Sequence, residues 1–152
     1  FGVNRLLKEA LQAADPPSDV EVMVDLGQDL PPVESNSLLV DVFLELFTNA
    51  LRAMEGCPQK RLSVRSRAER NEASTWVIVR ISDTGIGITP ETATHMWDMF
   101  KQSEDGVGFG LWWVRTFIER QGGTISFESE PGVGTTFVIR LNTAKDSKAV
   151  EV

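Results

Sequence analysis

Residues 38–54 read Leu-Leu-Val-Asp-Val-Phe-Leu-Glu-Leu-Phe-Thr-Asn-Ala-Leu-Arg-Ala-Met. Leu39, Val42, Phe43, Leu46, Ala50 and Ala53 recur at three- and four-residue intervals, which predicts a helix with one buried face. Asp41, Glu45, Thr48 and Arg52 stand at i, i+4, i+7 and i+11 and share a second, polar face. A stripe of this kind is most often a solvated surface. Asn49 lies at the edge between the two faces, and asparagine in a helix interior wants a reason. A carboxylate, an amide oxygen and a guanidinium on one face have the chemistry to hold Mg²⁺ and a phosphate together.

Working outward, residues 1–14 carry Val3, Leu6, Leu7, Ala10 and Leu11 at helical spacing, stopped by Asp15-Pro16-Pro17. Val20, Val22, Val24 and Leu26 alternate as in a strand, and residues 27–37 read as a loop. After Gly56-Cys57-Pro58, residues 62–67 and 76–82 predict two strands joined by a polar turn at Asn71. Residues 83–90 form a glycine-bearing loop, 91–100 a short helix and 101–110 a second loop. Helical spacing resumes over residues 111–120, with Gly122-Gly123 as its cap. Residues 124–128 and 135–141 predict a closing hairpin around Pro131-Gly132-Val133-Gly134. The expectation is a single domain over residues 1–142, led by a helix at 1–15, with a frayed tail at 143–152. Its class is α/β (an α+β two-layer sandwich), a mixed five-stranded sheet backed by about three helices.

Composition narrows the function. The chain has 152 residues, 41% hydrophobic and 24% charged, which suits one globular domain that buries roughly 70% of its unfolded surface. Fifteen Lys and Arg against 22 Asp and Glu give a net charge of −7. That argues against nucleic acid or an anionic membrane as a partner, since both require a basic footprint. One cysteine, Cys57, excludes an internal disulfide and a cysteine zinc cluster, and one histidine, His95, excludes His-rich metal sites. No apolar run approaches the ~20 residues of a membrane span. Arg5, Lys8 and Glu9 interrupt the first apolar stretch, unlike a signal peptide. A reducing, cytoplasmic setting is expected, although a parent protein could be membrane-anchored.

Three further stretches carry chemistry. In Asp83-Thr84-Gly85-Ile86-Gly87-Ile88, an aspartate at a strand end can accept from an exocyclic amine, and the glycines allow backbone to lie against a flat ring. In Gly106-Val107-Gly108-Phe109-Gly110-Leu111, alternate glycines free backbone N–H groups at a helix N-terminus, a combination that binds anions without Lys or Arg. It is neither a Walker loop, since no Lys follows the last glycine, nor a Rossmann fingerprint, since no clear strand precedes it. Gly132-Val133-Gly134-Thr135-Thr136-Phe137 reads alone as a structural hairpin turn. Each stretch by itself is weak evidence.

Their order is more specific. Glu45-Leu46-Phe47-Thr48-Asn49-Ala50-Leu51-Arg52 resembles the N box of the GHKL superfamily, and residues 83–88 its first glycine box. Met96-Trp97-Asp98-Met99-Phe100 resembles the F box, residues 106–111 the second glycine box, and Gly134-Thr135-Thr136-Phe137 the final glycine–threonine motif. Within the superfamily, residues 20–141 look most like the catalytic, ATP-binding domain of a sensor histidine kinase. The segments Asp25-Leu26-Gly27-Gln28-Asp29-Leu30-Pro31-Pro32-Val33 and Gln121-Gly122-Gly123-Thr124-Ile125 add to the likeness.

The resemblance implies a Bergerat fold that binds ATP or ADP with Mg²⁺, and phosphoryl transfer to a histidine on a separate dimerisation domain, with a response regulator downstream. Asp83 would accept from the adenine amino group, with Gly85 and Gly87 letting the loop pack near the base and Thr135 joining the water network there. Asn49 and Glu45 would be the catalytic and metal-facing pair, and Arg52 would contact phosphate. Gly106, Gly108 and Gly110 would turn N–H groups to the phosphates. Ile88, Phe100, Lys101, Val107, Phe109 and Leu111 complete the implied nucleotide-binding set.

The sequence departs from the pattern in places. Glu45 stands where many histidine kinases have Asn; in the superfamily's ATP hydrolases an acid there activates water. An ATPase or an anti-sigma-type serine kinase using Glu45 as base is therefore a rival reading, and a non-catalytic nucleotide-binding module a third. The lid is short, with residues 101–105 between the F box and the second glycine box. Trp112 and Trp113 are adjacent on a helix, so one is expected in the core and one toward the surface. His95 lacks the following acid of a phosphoacceptor motif, so the acceptor is expected outside this chain.

Overall fold

The computed structural model describes residues 1–98 and 111–143. In chain order the elements are α1 (Val3–Ala14), β1 (Glu21–Leu26), α2 (Leu38–Met54), β2 (Arg61–Arg70), β3 (Thr75–Asp83), α3 (Pro90–Thr94), α4 (Leu111–Arg120), β4 (Thr124–Glu130) and β5 (Gly134–Asn142). The strands form one mixed sheet of order β1-β2-β3-β5-β4. β1 runs parallel to β2, and the other three pairings are antiparallel.

Strand periodicity makes the two layers. Leu62 and Val64 of β2, Val77, Val79 and Ile81 of β3, and Phe137, Ile139 and Leu141 of β5 point into one core with the helices. From α2 that core takes Leu39, Val42, Phe43, Leu46, Phe47, Ala50 and Met54; from α4 it takes Leu111, Val114 and Ile118. The stripe read from residues 38–54 is therefore the buried face of α2. The leading helix α1 packs on α2 through Val3, Leu6, Leu7 and Ala10. Trp112 is exposed and Trp113 half-buried against the core, the division expected of adjacent helical positions.

The far face of the sheet is open and guarded by arginines. Arg65 and Arg80 sit opposite each other across β2 and β3, and Arg67 is opposite Ile78. The Arg140 guanidinium lies 3.7 Å from the centre of the Trp76 ring. Trp76 and Ile78 remain buried here; arginine stems shield apolar surface while their heads stay wet.

Several boundaries differ from the sequence-based expectation. β2 and β3 extend beyond residues 62–67 and 76–82, because Asn71 builds a tight turn that lets polar residues pair on both sides. Its Oδ1 accepts from Ala73 N at 2.9 Å and Ser74 N at 2.8 Å. α3 ends at Thr94 rather than running to residue 100; Thr89 caps it, accepting from Thr92 N at 3.2 Å, but no residue of α3 is buried, so no apolar face extends it. β1 is the sheet's edge, and Val24, expected to face inward, is 48% exposed because the helices pack mainly on β3 and β4. β5 runs through Asn142, and Thr143, expected to open the frayed tail, is buried in an antiparallel bridge to Val33. Val33 is also held by Phe1, whose carbonyl accepts from Val33 N at 2.9 Å.

Two glycines with similar backbone give a controlled comparison. Gly87 (φ +76°) has the Glu130 carbonyl where a Cβ would go, whereas Gly132 (φ +81°) faces open space. Gly132→Ala should cost about 1 kcal/mol from its left-handed conformation alone. Gly87→Ala adds a backbone clash and should cost roughly 2–4 kcal/mol. Urea unfolding of the two variants checks the ordering.

Candidate functional site

The site begins with Asn49, only 3% exposed in the middle of α2. Its Oδ1 accepts from Arg52 Nη1 at 3.3 Å, one turn along the helix. Its Nδ2 is buried with no hydrogen-bond partner among the described residues. An unmade amide hydrogen bond costs about 1–3 kcal/mol, so the sequence's misgiving about an interior asparagine marks a real cost. The rest of the polar stripe divides. Glu45 is half-buried and Asp41 exposed. Thr48 is spent locally, its hydroxyl donating to the Leu44 carbonyl at 2.8 Å.

Across from α2, β3 ends on Asp83, which is 8% exposed. Burial pushes its carboxyl up to about 6, an effect opposed by N–H donation from Gly85 and Thr135. The Gly85 bond to Oδ1 measures 2.8 Å. Asn49, Ala50 and Ala53 of α2, Asp83 and Ile88, Leu111 of α4, and Thr135 and Phe137 of β5 line one small cavity of about 10 Å³. Five residues named from the sequence thus converge: Asn49, Asp83, Ile88, Leu111 and Thr135. Glu45 and Arg52 flank Asn49 on α2 without lining this cavity. Phe100, Lys101, Gly106, Val107, Gly108, Phe109 and Gly110 lie outside the described residues.

The loop after β3 is fastened to protein on both sides. Gly85 lies against the Ala53 carbonyl at the end of α2, where a Cβ would overlap it. That same carbonyl accepts from Ile86 N at 3.0 Å, and the Ile86 carbonyl accepts from Gly132 N at 2.7 Å. Gly85 and Gly87 are thus required by neighbouring backbone, a reason the sequence reading did not supply. Ser129 is another feature it missed: the serine oxygen accepts from Ile88 N at 2.7 Å and sits 2.8 Å from Thr135 Oγ1. The available signal was periodic, since Ser129 takes the third inward slot after Ile125 and Phe127 in β4.

The F-box segment is anchored where it is described. Met96 is in the core, and the Trp97 ring packs 5.9 Å from Phe127 and 6.5 Å from Phe137. Arg115 of α4 stands over Trp97 at 5.5 Å. His95 is exposed, with Nδ1 2.8 Å from Asp98 Oδ2.

The donor set is compatible with Mg²⁺ only as a shared ligand. Among the described residues no group of three or more His, Cys, Asp or Glu gathers. Mg²⁺ sites of nucleotide enzymes commonly take one or two protein oxygens and fill the shell with water and phosphate, and the Asn49 amide oxygen with the nearby Glu45 meets that pattern. No helix among the described residues is long and apolar enough to cross a membrane.

Residues 34–145 match the family described as histidine kinase-, DNA gyrase B- and HSP90-like ATPase, and the chain belongs to that family. Its relatives include the sensor kinase CckA of Brucella abortus, 31% identical over 88% of this chain and 15% of that protein. Sporulation kinase E of Bacillus subtilis is 29% identical over 86% of this chain and 17% of that protein. The chain therefore spans under a fifth of the length of these two relatives. Among solved structures, the mycobacterial sensor histidine kinase MprB superposes with a TM-score of 0.73 at 22% identity, covering 93% of this chain and 96% of that one. ShkA, solved at full length in complex with AMPPNP, gives 0.76 at 23% identity, covering 95% of this chain and 31% of that one. The fold is that of the catalytic, ATP-binding domain of sensor histidine kinases.

The raised Asp83 carboxyl makes a pH prediction. Its folded value, about 6, lies above the ordinary 3.8, so its stabilising contribution is full below the ordinary value and is lost as pH rises through about 6. The stability of the native chain relative to Asp83→Asn should improve by roughly 1–3 kcal/mol between pH 8 and pH 4. Denaturant titrations of both proteins across that range measure it; a flat difference would contradict it.

Proposed function

We propose that this domain binds Mg-ATP and supplies the γ-phosphoryl group to a histidine on a separate phosphoacceptor domain, from which a response regulator is charged. The single observation carrying the proposal is the cavity where a buried carboxylate and an unpartnered buried amide meet in a chain of this family. We place the ATP-binding domain over residues 1–142, with Thr143 bridged to Val33 at its end.

Asp83 accepts the adenine amino group, which replaces water lost on folding with a hydrogen-bond donor and favours the ionised carboxylate. Ile88 and Leu111 give the base apolar walls, and the Thr135 hydroxyl serves its polar edge. Gly85 and Gly87 hold the loop under the base through their contacts with Ala53 and Glu130. Asn49 and Glu45 would hold the Mg²⁺ that accompanies the nucleotide, and Arg52 would contact phosphate. When bound, Mg²⁺ neutralises charge on the phosphate oxygens. Phosphate-binding roles for residues 106–110, and base- or phosphate-binding roles for Phe100, Lys101, Val107 and Phe109, are carried over from the sequence motifs alone. Phosphoryl transfer then depends on positioning and electrostatics more than on covalent chemistry by the protein.

Glu45 favours one second reading, in which this half-buried acid deprotonates water and the domain hydrolyses ATP. The family includes such ATPases by its description.

Asn49→Ala should weaken Mg-ADP binding by about tenfold or more, the scale of a lost metal-phosphate contact. Incubation of the domain with labelled ATP and a cognate phosphoacceptor domain should yield acid-labile phosphohistidine. Unaltered binding by Asn49→Ala together with no phosphohistidine defeats the kinase reading. If Glu45→Gln abolishes ATP hydrolysis in the absence of acceptor, the hydrolase reading takes its place.

A further inference from the structure

The arginines on the outward face of the sheet are ordered by strand register. Arg65 of β2 stands directly opposite Arg80 of β3, and Arg67 stands opposite Ile78. Ile78 in turn faces Arg140 on β5. Three of the arginines on this face have a use close at hand. Arg61 Nη2 lies 3.3 Å from Glu21 Oε2, Arg67 Nη2 lies 2.6 Å from Glu69 Oε1, and Arg140 covers the Trp76 ring. Arg65 and Arg80 do not: among the described residues neither guanidinium has an ion pair, although Asp25 stands opposite Arg65 on β1.

Like charges directly opposite on neighbouring strands destabilise a sheet. The chain has 22 acidic residues against 15 Lys and Arg, yet it sets two guanidiniums side by side. An acid at either position would turn this repulsion into a pair. Beside the two arginines lies a depression of about 190 Å³, lined by Asp25, Arg65, Ser66, Arg67, Ile78 and Arg80. Ile78, 9% exposed, gives it an apolar wall. Planar guanidinium forks match a carboxylate in bidentate fashion, and an apolar wall beside them limits competition from water.

We propose that this depression docks a carboxylate side chain from an acidic, extended segment of a partner protein, held between Arg65 and Arg80. Charge complementarity carries the choice of partner. The centre of the face is positive, but its margins are acidic: Glu21 and Asp25 stand outward on β1, and Glu128 and Glu130 on β4. A broad anionic plane, such as a duplex or a lipid surface, meets these carboxylates together with the arginines and is repelled at the rim. A narrow segment reaches the centre and avoids them. The surface lies on the side of the sheet away from the Asp83 cavity, so the inference does not depend on the nucleotide reading.

Amide-shift NMR and calorimetry with a short capped peptide of alternating aspartate and glycine, and with its asparagine counterpart, test the assignment. The aspartate peptide should shift the Ile78 and Arg80 amides, and its binding should weaken with added salt; the asparagine peptide should do neither. Arg65→Gln and Arg80→Gln should each weaken binding by about tenfold or more, the scale of a charge-assisted hydrogen bond. Arg61→Gln, at the margin, should change it by less than about twofold. Arg80→Gln should also be at least as resistant to urea as native protein, since it relieves the repulsion with Arg65. Variants at 65 and 80 that bind the aspartate peptide as native protein does overturn the proposal. So does a loss of stability in both variants with peptide binding unchanged, which would make the arginine stems a cover for Ile78 and nothing more. Binding of inorganic phosphate or of phosphatidylserine vesicles at lower concentration than the peptide overturns the choice of an acidic protein segment.

Discussion

A carboxylate held out of water at the end of β3 sets the terms for everything around it. Asp83 belongs to a strand paired on both sides, with β2 and with β5, so it has little freedom to move toward solvent. Burying a charge is costly unless hydrogen bonds replace its hydration, and Gly85 and Thr135 supply only part of that replacement. Close backbone approach is what makes the donation possible. Gly134 has φ +149° and lies against the Asp83 carbonyl where a side chain would overlap it, and Gly85 is pressed on Ala53 in the same way. Glycines from two separate motifs thus serve first to bring α2, β3 and β5 around one carboxylate. A ligand that offers a donor there completes hydrogen bonding that the fold leaves unfinished.

The unpartnered Nδ2 of Asn49 expresses the same logic from the helix side. Both groups are costly to bury, and both are fixed by elements with deep cores. α2 buries Phe43, Leu46 and Phe47 completely, so Asn49 is carried on a helix that cannot rotate to expose it. Rigid elements present the polar groups while their cost is spread over the large apolar core, an arrangement that favours function over local stability.

Legibility in the sequence followed the physics of each signal. α2 and α4 were readable from end to end, because a 3.6-residue period repeated over several turns is hard to imitate. The chain order of the motifs brought Asn49, Asp83, Ile88, Leu111 and Thr135 into view before any contact was known. What escaped depended on long-range pairing. Thr143 looks like tail until Val33 is placed beside it. Asn36 looks like loop until its Oδ1 is seen capping α2, 2.9 Å from Leu38 N. Ser129 is an ordinary strand serine until the Ile88 amide is brought against it from 41 positions away. The glycines were noticed for a different reason from the one the backbone gives, since local sequence reveals the freedom of a glycine but not the neighbour that requires it.

The net charge of −7 also acquires a location. Arg61, Arg65, Arg67, Arg80 and Arg140 stand on the outward positions of the sheet, with Arg61 and Arg67 paired to Glu21 and Glu69. They lie on the opposite side of the sheet from the cavity, whose lining among the described residues contains neither Lys nor Arg. The described lining itself therefore offers no positive charge of its own. On the proposed reading, selection rests on oriented groups at short range: the Asp83 carboxylate, the Asn49 amide and the Thr135 hydroxyl. Of these, the Asn49 Nδ2 is buried with no partner among the described residues, and Asp83 keeps a raised carboxyl despite two N–H donors, so a ligand of matching polarity has bonds left to make. On the proposed reading, an acidic chain would recognise an anionic ligand by its uncharged end, through short-range groups such as these rather than through a positive field.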